Sequence, residues 1–426
     1  MKLTEDQTKA YQAITDFLLE PRTREMILTG AGGSGKSALV SWFLLEGYDI
    51  FKANHPEAEH YIPVVVATTN KAAKVIGEQT KARVPTIHSF LGLAVKEDEE
   101  TGITSLKVTK KFKPKSGLLV FIDECSMIDE ELYFFINDAL QECKIIYLGD
   151  KDQLAPVKQK YPTVFTKGFP LVELTQNVRM RNYPALLDLA SQLKRNVNEH
   201  KLNLIKVDPS VVSLLDKEEY LSLINKEFKK PNLKNKILAF TNKRVLEYNH
   251  YIKYDLRHYS NPYVVGECYI INSAVTNPTD EDHSVVLFQT DTEVQIEAVL
   301  GEHEYEVDDY ILPVVALSLS DGQGVLAPAS NEEYLKILKR LVRKKQWVDY
   351  FQLKRDIVDL RLSDCSTVHK AQGSTYTQVF VDLEDISKCR DLDTLNRLLY
   401  VACTRATTHV YLYRGNNDKI PISYSR

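Results

Sequence analysis

No stretch of this 426-residue chain reaches the roughly eighteen consecutive apolar residues that a bilayer-spanning helix needs, and MKLTEDQTKA lacks the apolar core of a signal peptide. A cytoplasmic protein without a membrane partner is expected, in the host's cytoplasm if the source is viral. Paired cysteines are also lacking. Cys125, Cys143, Cys268, Cys365, Cys389 and Cys403 are scattered without a CxxC, which argues against a zinc site or a disulfide framework and for reduced, mostly buried thiols. There is no basic excess either: a formal net charge of −4 argues against a protein that coats nucleic acid through bulk basicity, but leaves room for a local basic groove. No internal repeat at a short period is present. What remains, with 44% hydrophobic and 26% charged residues, is an ordinary globular chain long enough for two to four domains.

The first part alternates apolar runs with helical spacing. EMILTG (25–30), YIPVVVATT (61–69), GLLVFIDE (117–124) and CKIIYLGD (143–150) each end in small or polar residues, the pattern of parallel strands with crossover helices. Residues 91–116, with a turn signal at Glu100-Thr101-Gly102, read as a β-hairpin inserted in that core. A second α/β pattern begins near Leu171 and includes KILAFTN (236–242). It breaks off near Tyr259, and TQVFVDL (377–383) and HVYLYRG (409–415) resume it. Between them, 260–330 is strand-rich, as in a small antiparallel barrel, and 331–358 is a charged helical stretch. The expected division is 1–170, then 171–259 with 359–426, with 260–358 inserted.

Chemistry enters at Gly30-Ala31-Gly32-Gly33-Ser34-Gly35-Lys36-Ser37, which follows an apolar strand and opens a helical run, the setting a P-loop requires. Gly30, Gly32, Gly33, Ser34 and Gly35 let backbone amides wrap a phosphate, Lys36 reaches the β and γ oxygens of ATP, and Ser37 can ligate Mg2+. The strand Leu118-Leu119-Val120-Phe121-Ile122 ends in Asp123 and Glu124, carboxylates that an apolar strand tolerates only at a cost. Asp123 is read as the Mg2+ partner and Glu124 as the base for the attacking water. Beyond the next strand, Gln153 of Gly149-Asp150-Lys151-Asp152-Gln153 can sense the γ-phosphate. VVVATTNKAAK ends a strand with Thr68, Thr69, Asn70 and Lys71, short polar groups and a cation at a helix start, suited to holding a nucleic-acid phosphate.

LTEDQ, the P-loop, VVVATTNKAAKVIG, TIHSF, FIDECSMID, GDKDQLAPV, LTQNVRM, STVHKAQGSTYTQVFVDL and LLYVACTRAT stand in this order. The series resembles the superfamily 1B helicases of the RecD-like group over all of the chain except the strand-rich insertion. The resemblance implies an α/β fold of two RecA-like P-loop domains, with the hairpin in the first and an SH3-like barrel plus helices in the second. It also implies an ATP-dependent motor moving 5′ to 3′ on single-stranded DNA and separating the duplex at single-strand/duplex junctions, working as a monomer with ATP and Mg2+. Single-strand-binding or replication proteins are possible partners. Gln7 corresponds to an adenine reader, and Arg179 and Arg405 to arginines that reach the γ-phosphate. Thr68, Asn70, Lys71, Thr86, His88, Thr367, His369, Lys370, Ser374 and Thr375 correspond to strand contacts, with Gln372 and Gly373 coupling the two sites. Phe90 is a candidate for stacking on a base, although an aromatic after a polar turn is more often core. Asn70 stands where phage members of the group carry histidine, and Leu106, not an aromatic, lies near the expected hairpin tip.

Two rivals are carried along: a translocase that displaces proteins without unwinding, which has no need of the inserted hairpin, and a P-loop switch, which has no use for a second domain bearing VHKAQG and a late arginine. In the hairpin, Glu97-Asp98-Glu99-Glu100 would repel a displaced strand, while Lys110, Lys111, Lys113 and Lys115 could hold the tracking strand. Arg343, Lys344 and Lys345, followed by Trp347, Tyr350 and Phe351, either line a track or brace another domain.

Overall fold

The computed structural model describes residues 2–97, 104–156, 159, 161–178, 180–272, 275–278, 284–288, 292–320, 322–416 and 419–425. Two five-stranded parallel sheets organise the chain. The apolar runs foreseen in the first part become Glu25–Gly30, Ile62–Ala67, Ser116–Asp123 and Glu142–Gly149. Across the first sheet the order is Ile62–Ala67, Ser116–Asp123, Glu142–Gly149, Glu25–Gly30, Leu171–Leu174. All pairs are parallel, as they must be when each strand is followed by a crossover. Val120, Phe121 and Ile122 are fully buried because helices cover both faces.

The second sheet, in order Cys365–Thr367, Asn235–Ala239, Tyr376–Asp382, Ala406–Tyr413 and Val212–Leu215, is parallel throughout. Helices Pro184–Glu199 and Leu392–Cys403 supply part of its largest apolar cluster.

Two expected borders shift. Leu171–Leu174 pairs with Glu25–Gly30, so the first sheet runs past residue 170. Leu360–Leu362 pairs antiparallel with Cys268–Ile271, so the inserted unit keeps this strand and the second sheet resumes at Cys365. In the insertion, Gly324–Pro328, Tyr310–Leu319, Glu293–Val307, Cys268–Ile271 and Leu360–Leu362 form one antiparallel sheet. Its two edges meet where the Val358 amide donates to the Leu326 carbonyl at 2.8 Å, which closes the sheet around Tyr269, Ile296, Leu317 and Leu360.

Helices Asn331–Lys344 and Trp347–Asp356 lie against the long hairpin of that sheet. Tyr334, Ile337, Leu338 and Leu341 point inward, and Lys344 pairs with Asp308 at 2.9 Å and Asp309 at 3.4 Å. This end of the basic run therefore braces the hairpin.

The first-domain hairpin is formed by Leu93–Glu97 and Thr104–Val108. Leu106 lies within its second strand, opposite Val95, and donates its amide to Glu131, so it is not at the tip. The acidic turn residues Asp98, Glu99 and Glu100 lie outside the described residues. All six cysteines are buried free thiols. No described helix is long and apolar enough to cross a membrane.

Candidate nucleotide and strand sites

In the first sheet, the P-loop, Thr68, Asp123 and Asp150 all follow or close the carboxyl ends of parallel strands, where α/β sheets present their ligand crevices. A cavity of about 330 Å3 opens there. Its walls include Gly32, Gly33, Gly35, Lys36, Ser37, Asp123, Glu124, Gln153, Gly373 and Arg405, so residues expected from distant stretches converge.

Gly33 and Gly35 have φ of +88° and +91°, a backbone that non-glycine residues adopt only with strain. A Cβ on Gly35 would lie 2.7 Å from the Gln7 amide nitrogen. Lys36 turns its ammonium onto the Gly30 and Ala31 carbonyls, which holds the charge inside the loop. Gln7 is buried and does not line the cavity. Its side-chain carbonyl accepts from the Thr4 amide at 3.0 Å and its side-chain amide donates to the Gly35 carbonyl at 3.2 Å. It closes a helix-capping box and props the P-loop, with one N–H and one lone pair left for a base.

Asp123 accepts from the Glu124 amide at 2.8 Å and shares the cavity wall with Ser37. Burial raises its carboxyl above the ordinary value, against the pull of Lys36. Burial and then the Asp123 charge push Glu124 up to about 7. Glu124 also has φ of +54°, unusual for a side chain with a Cβ. Its carbonyl accepts from the Thr68 hydroxyl and the Met127 amide, both at 3.0 Å.

Ser37 and Asp123 form a hard, two-oxygen donor set, which fits Mg2+ because that ion keeps several waters and takes its other ligands from phosphates. No group of three or more His, Cys, Asp or Glu side chains that could hold a metal ion occurs among the described residues.

The second domain reaches the same cavity. Arg405 is buried, held by the Val401 and Ser374 carbonyls at 3.1 and 3.2 Å. Gly373 has φ of +74° and comes so near Glu124 that an added Cβ would lie 3.3 Å from its carboxylate. Gln372 donates to the Ser126 hydroxyl at 3.1 Å, a direct tie between VHKAQG and the segment behind Glu124.

Two further residues went unnoticed in the sequence. Tyr400 donates to Asp150 at 2.8 Å, and Arg397 donates to the Lys151 and Gln153 carbonyls, each at 2.6 Å. The available signal was Arg397 just before, and Tyr400 within, the apolar run LLYVAC (398–403), since a buried guanidinium demands partners. Arg179 lies outside the described residues.

Four of the expected strand residues line two clefts. Thr68 and His88 line one of about 270 Å3, with Leu106, Met127, Asp129 and Glu131. Burial lowers the pKa of His88, which favours its neutral form. Thr367 and Lys370 line another of about 830 Å3 between the second sheet and the closed antiparallel sheet, and Lys370 donates to Asn272 at 2.8 Å. Asn70 opens helix Asn70–Thr80, Thr86 caps Ile87–Leu91, and Lys71 faces Glu293 at 3.8 Å. That same carboxylate stands 3.5 Å from buried Lys236. His369 is half-buried 6.2 Å from the Phe240 ring, Ser374 is buried and Thr375 exposed. Phe90 is partly buried against the first-domain core, with the Lys115 ammonium over its ring.

Comparison with known proteins agrees with this layout. Residues 15–159 match an AAA domain family and 362–413 a UvrD-like helicase C-terminal domain. The chain is 24% identical over 452 residues to the ATP-dependent DNA helicase dda of Enterobacteria phage T4, covering 96% of this chain and 98% of that one. A Pif1 helicase from Bacteroides, solved with ADP-AlF3 and single-stranded DNA, shares the fold at a TM-score of 0.52 and 16% identity over 97% of this chain and 92% of that one. A Pif1 helicase from Candida albicans does so at 0.50 and 15%, over 100% and 97%. Motif order, paired parallel sheets and these matches together fit a superfamily 1B helicase.

Proposed function

We propose that the protein is an ATP-dependent DNA helicase that moves 5′ to 3′ along single-stranded DNA and separates duplexes at junctions. The observation that carries this reading is the cavity shared by both α/β domains. The P-loop, Asp123 and Glu124 come from one domain and Arg405 and Gly373 from the other, so ATP between them has a reason to draw the domains together. Lys36 and the loop amides hold the phosphates, and Glu124, ionised, takes a proton from the attacking water. Arg405 supplies charge to the phosphoryl transition state, and Arg179 is assigned the same role by motif. Mg2+, held by Ser37 and Asp123, would neutralise phosphate charge.

Hydrolysis lets the domains part, and grip on the strand alternates between the surfaces around Asn70 and Lys71 and around Thr367, His369 and Lys370. Relatives support the substrate: one is named a DNA helicase and another is solved with single-stranded DNA. Unwinding of a 5′-tailed duplex, with a 3′-tailed duplex left intact, is the expected result. The reverse preference would refute the direction, and strand-stimulated ATP turnover with neither duplex opened would favour the protein-displacing translocase.

A further inference from the structure

One hydroxyl stands in the wall between the strand cleft and the ATP cavity. Thr68 ends a strand of the first sheet and opens the turn into Asn70–Thr80. This helix lends Ala72, Val75 and Gln79 to the ATP cavity, whereas Thr68 and Thr69 line the 270 Å3 cleft. The Thr68 backbone amide donates to the Asp123 carbonyl at 3.1 Å, and its hydroxyl donates to the Glu124 carbonyl at 3.0 Å. Glu124 is the residue of this turn with φ in the left-handed region, at +54°, a conformation that persists only where neighbours hold it. A threonine hydroxyl has a single proton to donate. Here that proton is spent on the catalytic turn, so it is not available for a nucleic-acid phosphate, which can only accept.

We propose that Thr68 is a positioning residue for Glu124, the link through which a strand lying in the cleft sets the backbone that aims the catalytic carboxylate, and that it is not one of the phosphate grips. The proposal rests on the helicase reading for its strand, but not for its hydrogen bond. A strand settling against Thr69 to Lys71 shifts the turn that carries Thr68. The hydroxyl passes that shift to Glu124 across 56 residues of sequence.

The test compares Thr68→Val, which keeps the shape and removes the donor, with Thr68→Ser, which keeps the donor, in the full chain. ATP turnover is measured with and without an oligothymidine strand, along with strand affinity and its salt dependence. For Thr68→Val the expected result is a turnover rate at saturating strand about tenfold below the parent, as loss of one productive hydrogen bond implies. KM for ATP and strand affinity should stay within about threefold, and Thr68→Ser should recover most of the rate. A weakened strand affinity with a shallower salt slope and unchanged turnover at saturation would overturn the proposal and make Thr68 a phosphate contact. So would failure of Thr68→Ser to recover the rate, or turnover in Thr68→Val equal to the parent's. If the parent is not stimulated by single strands, the helicase reading fails by itself. The positioning role is then decided by basal turnover, expected to fall in Thr68→Val and to return in Thr68→Ser.

Discussion

Replacing Arg397 by methionine removes the guanidinium that joins the second domain to the loop carrying Gln153, while keeping a long apolar stem on the helix. One terminal nitrogen of Arg397 donates to the Lys151 and Gln153 carbonyls, each at 2.6 Å, and the residue is only 7% exposed. Hydrogen bonds from a charged donor contribute about 1.5–3 kcal/mol each. The cost of burying the cation offsets part of this, and burial lowers the arginine's pKa, the Asp152 charge being the largest influence opposing it. A net loss near the lower sum, about 3 kcal/mol, corresponds to roughly a hundredfold in the equilibrium that brings the domains together. Because ATP is read from both sides of the cavity, kcat/KM for ATP at saturating single strand should fall by about that factor. Arg397→Lys, which keeps a cation but is shorter and more strongly hydrated, should lie between the two. Circular dichroism of the variant checks that each domain remains folded. A folded Arg397→Met protein whose kcat/KM stays within about threefold of the parent would refute the idea that this contact governs assembly of the site.

Glu124, pushed up to about 7, is protonated below that pH and ionised above it, so kcat/KM for ATP should fall as pH drops from 8 to 6. A flat profile would move the base elsewhere. Glu124→Gln should keep nucleotide affinity, since Asp123 and Lys36 remain, yet hydrolyse slower by at least about a hundredfold, which single-turnover kinetics will measure. Arg405→Ala should lower kcat by at least ~100-fold with a smaller change in ATP affinity; an affinity-only defect in isothermal titration would contradict its placement. Replacing Ala94 to Thr109 by a short Gly-Ser linker should preserve strand-stimulated ATP turnover and abolish opening of a forked duplex. Normal opening by the shortened protein would send the search for the separating element to another domain.

What could be read beforehand was what local sequence enforces. The P-loop glycines, the apolar strand ending in Asp123 and Glu124, and the alternation of strand and helix carry their own geometry, and the residues concerned meet in one cavity. Short edge strands were another matter. Leu171–Leu174 and Leu360–Leu362 are four and three residues long, and nothing within so few residues says which sheet they join. Gln7 shows a signal that was present but outweighed. Thr4-Glu5-Asp6-Gln7 has the spacing of a capping box, and much of the glutamine's hydrogen-bonding capacity goes there. The long-range hydrogen bonds of Thr68, Arg397 and Tyr400 went unforeseen for one reason. Their partners lie 56 to 250 residues away, and helical or strand spacing describes only the side a residue faces.

Glu293 gives the closed antiparallel sheet a mechanical meaning. One carboxylate oxygen stands between Lys71 of the first domain and Lys236 of the second, at 3.8 and 3.5 Å. If the two domains part as proposed, this oxygen would leave one cation before the other, so the third body would follow the domain that holds it more firmly. The Lys71 contact is partly exposed and long, the kind that contributes less than about 1 kcal/mol. The Lys236 side has no exposed surface at all. On the proposed mechanism the third body would therefore ride with the second domain like a carriage on its rail and only brush the first, and added salt should loosen that brush contact well before it disturbs the rail.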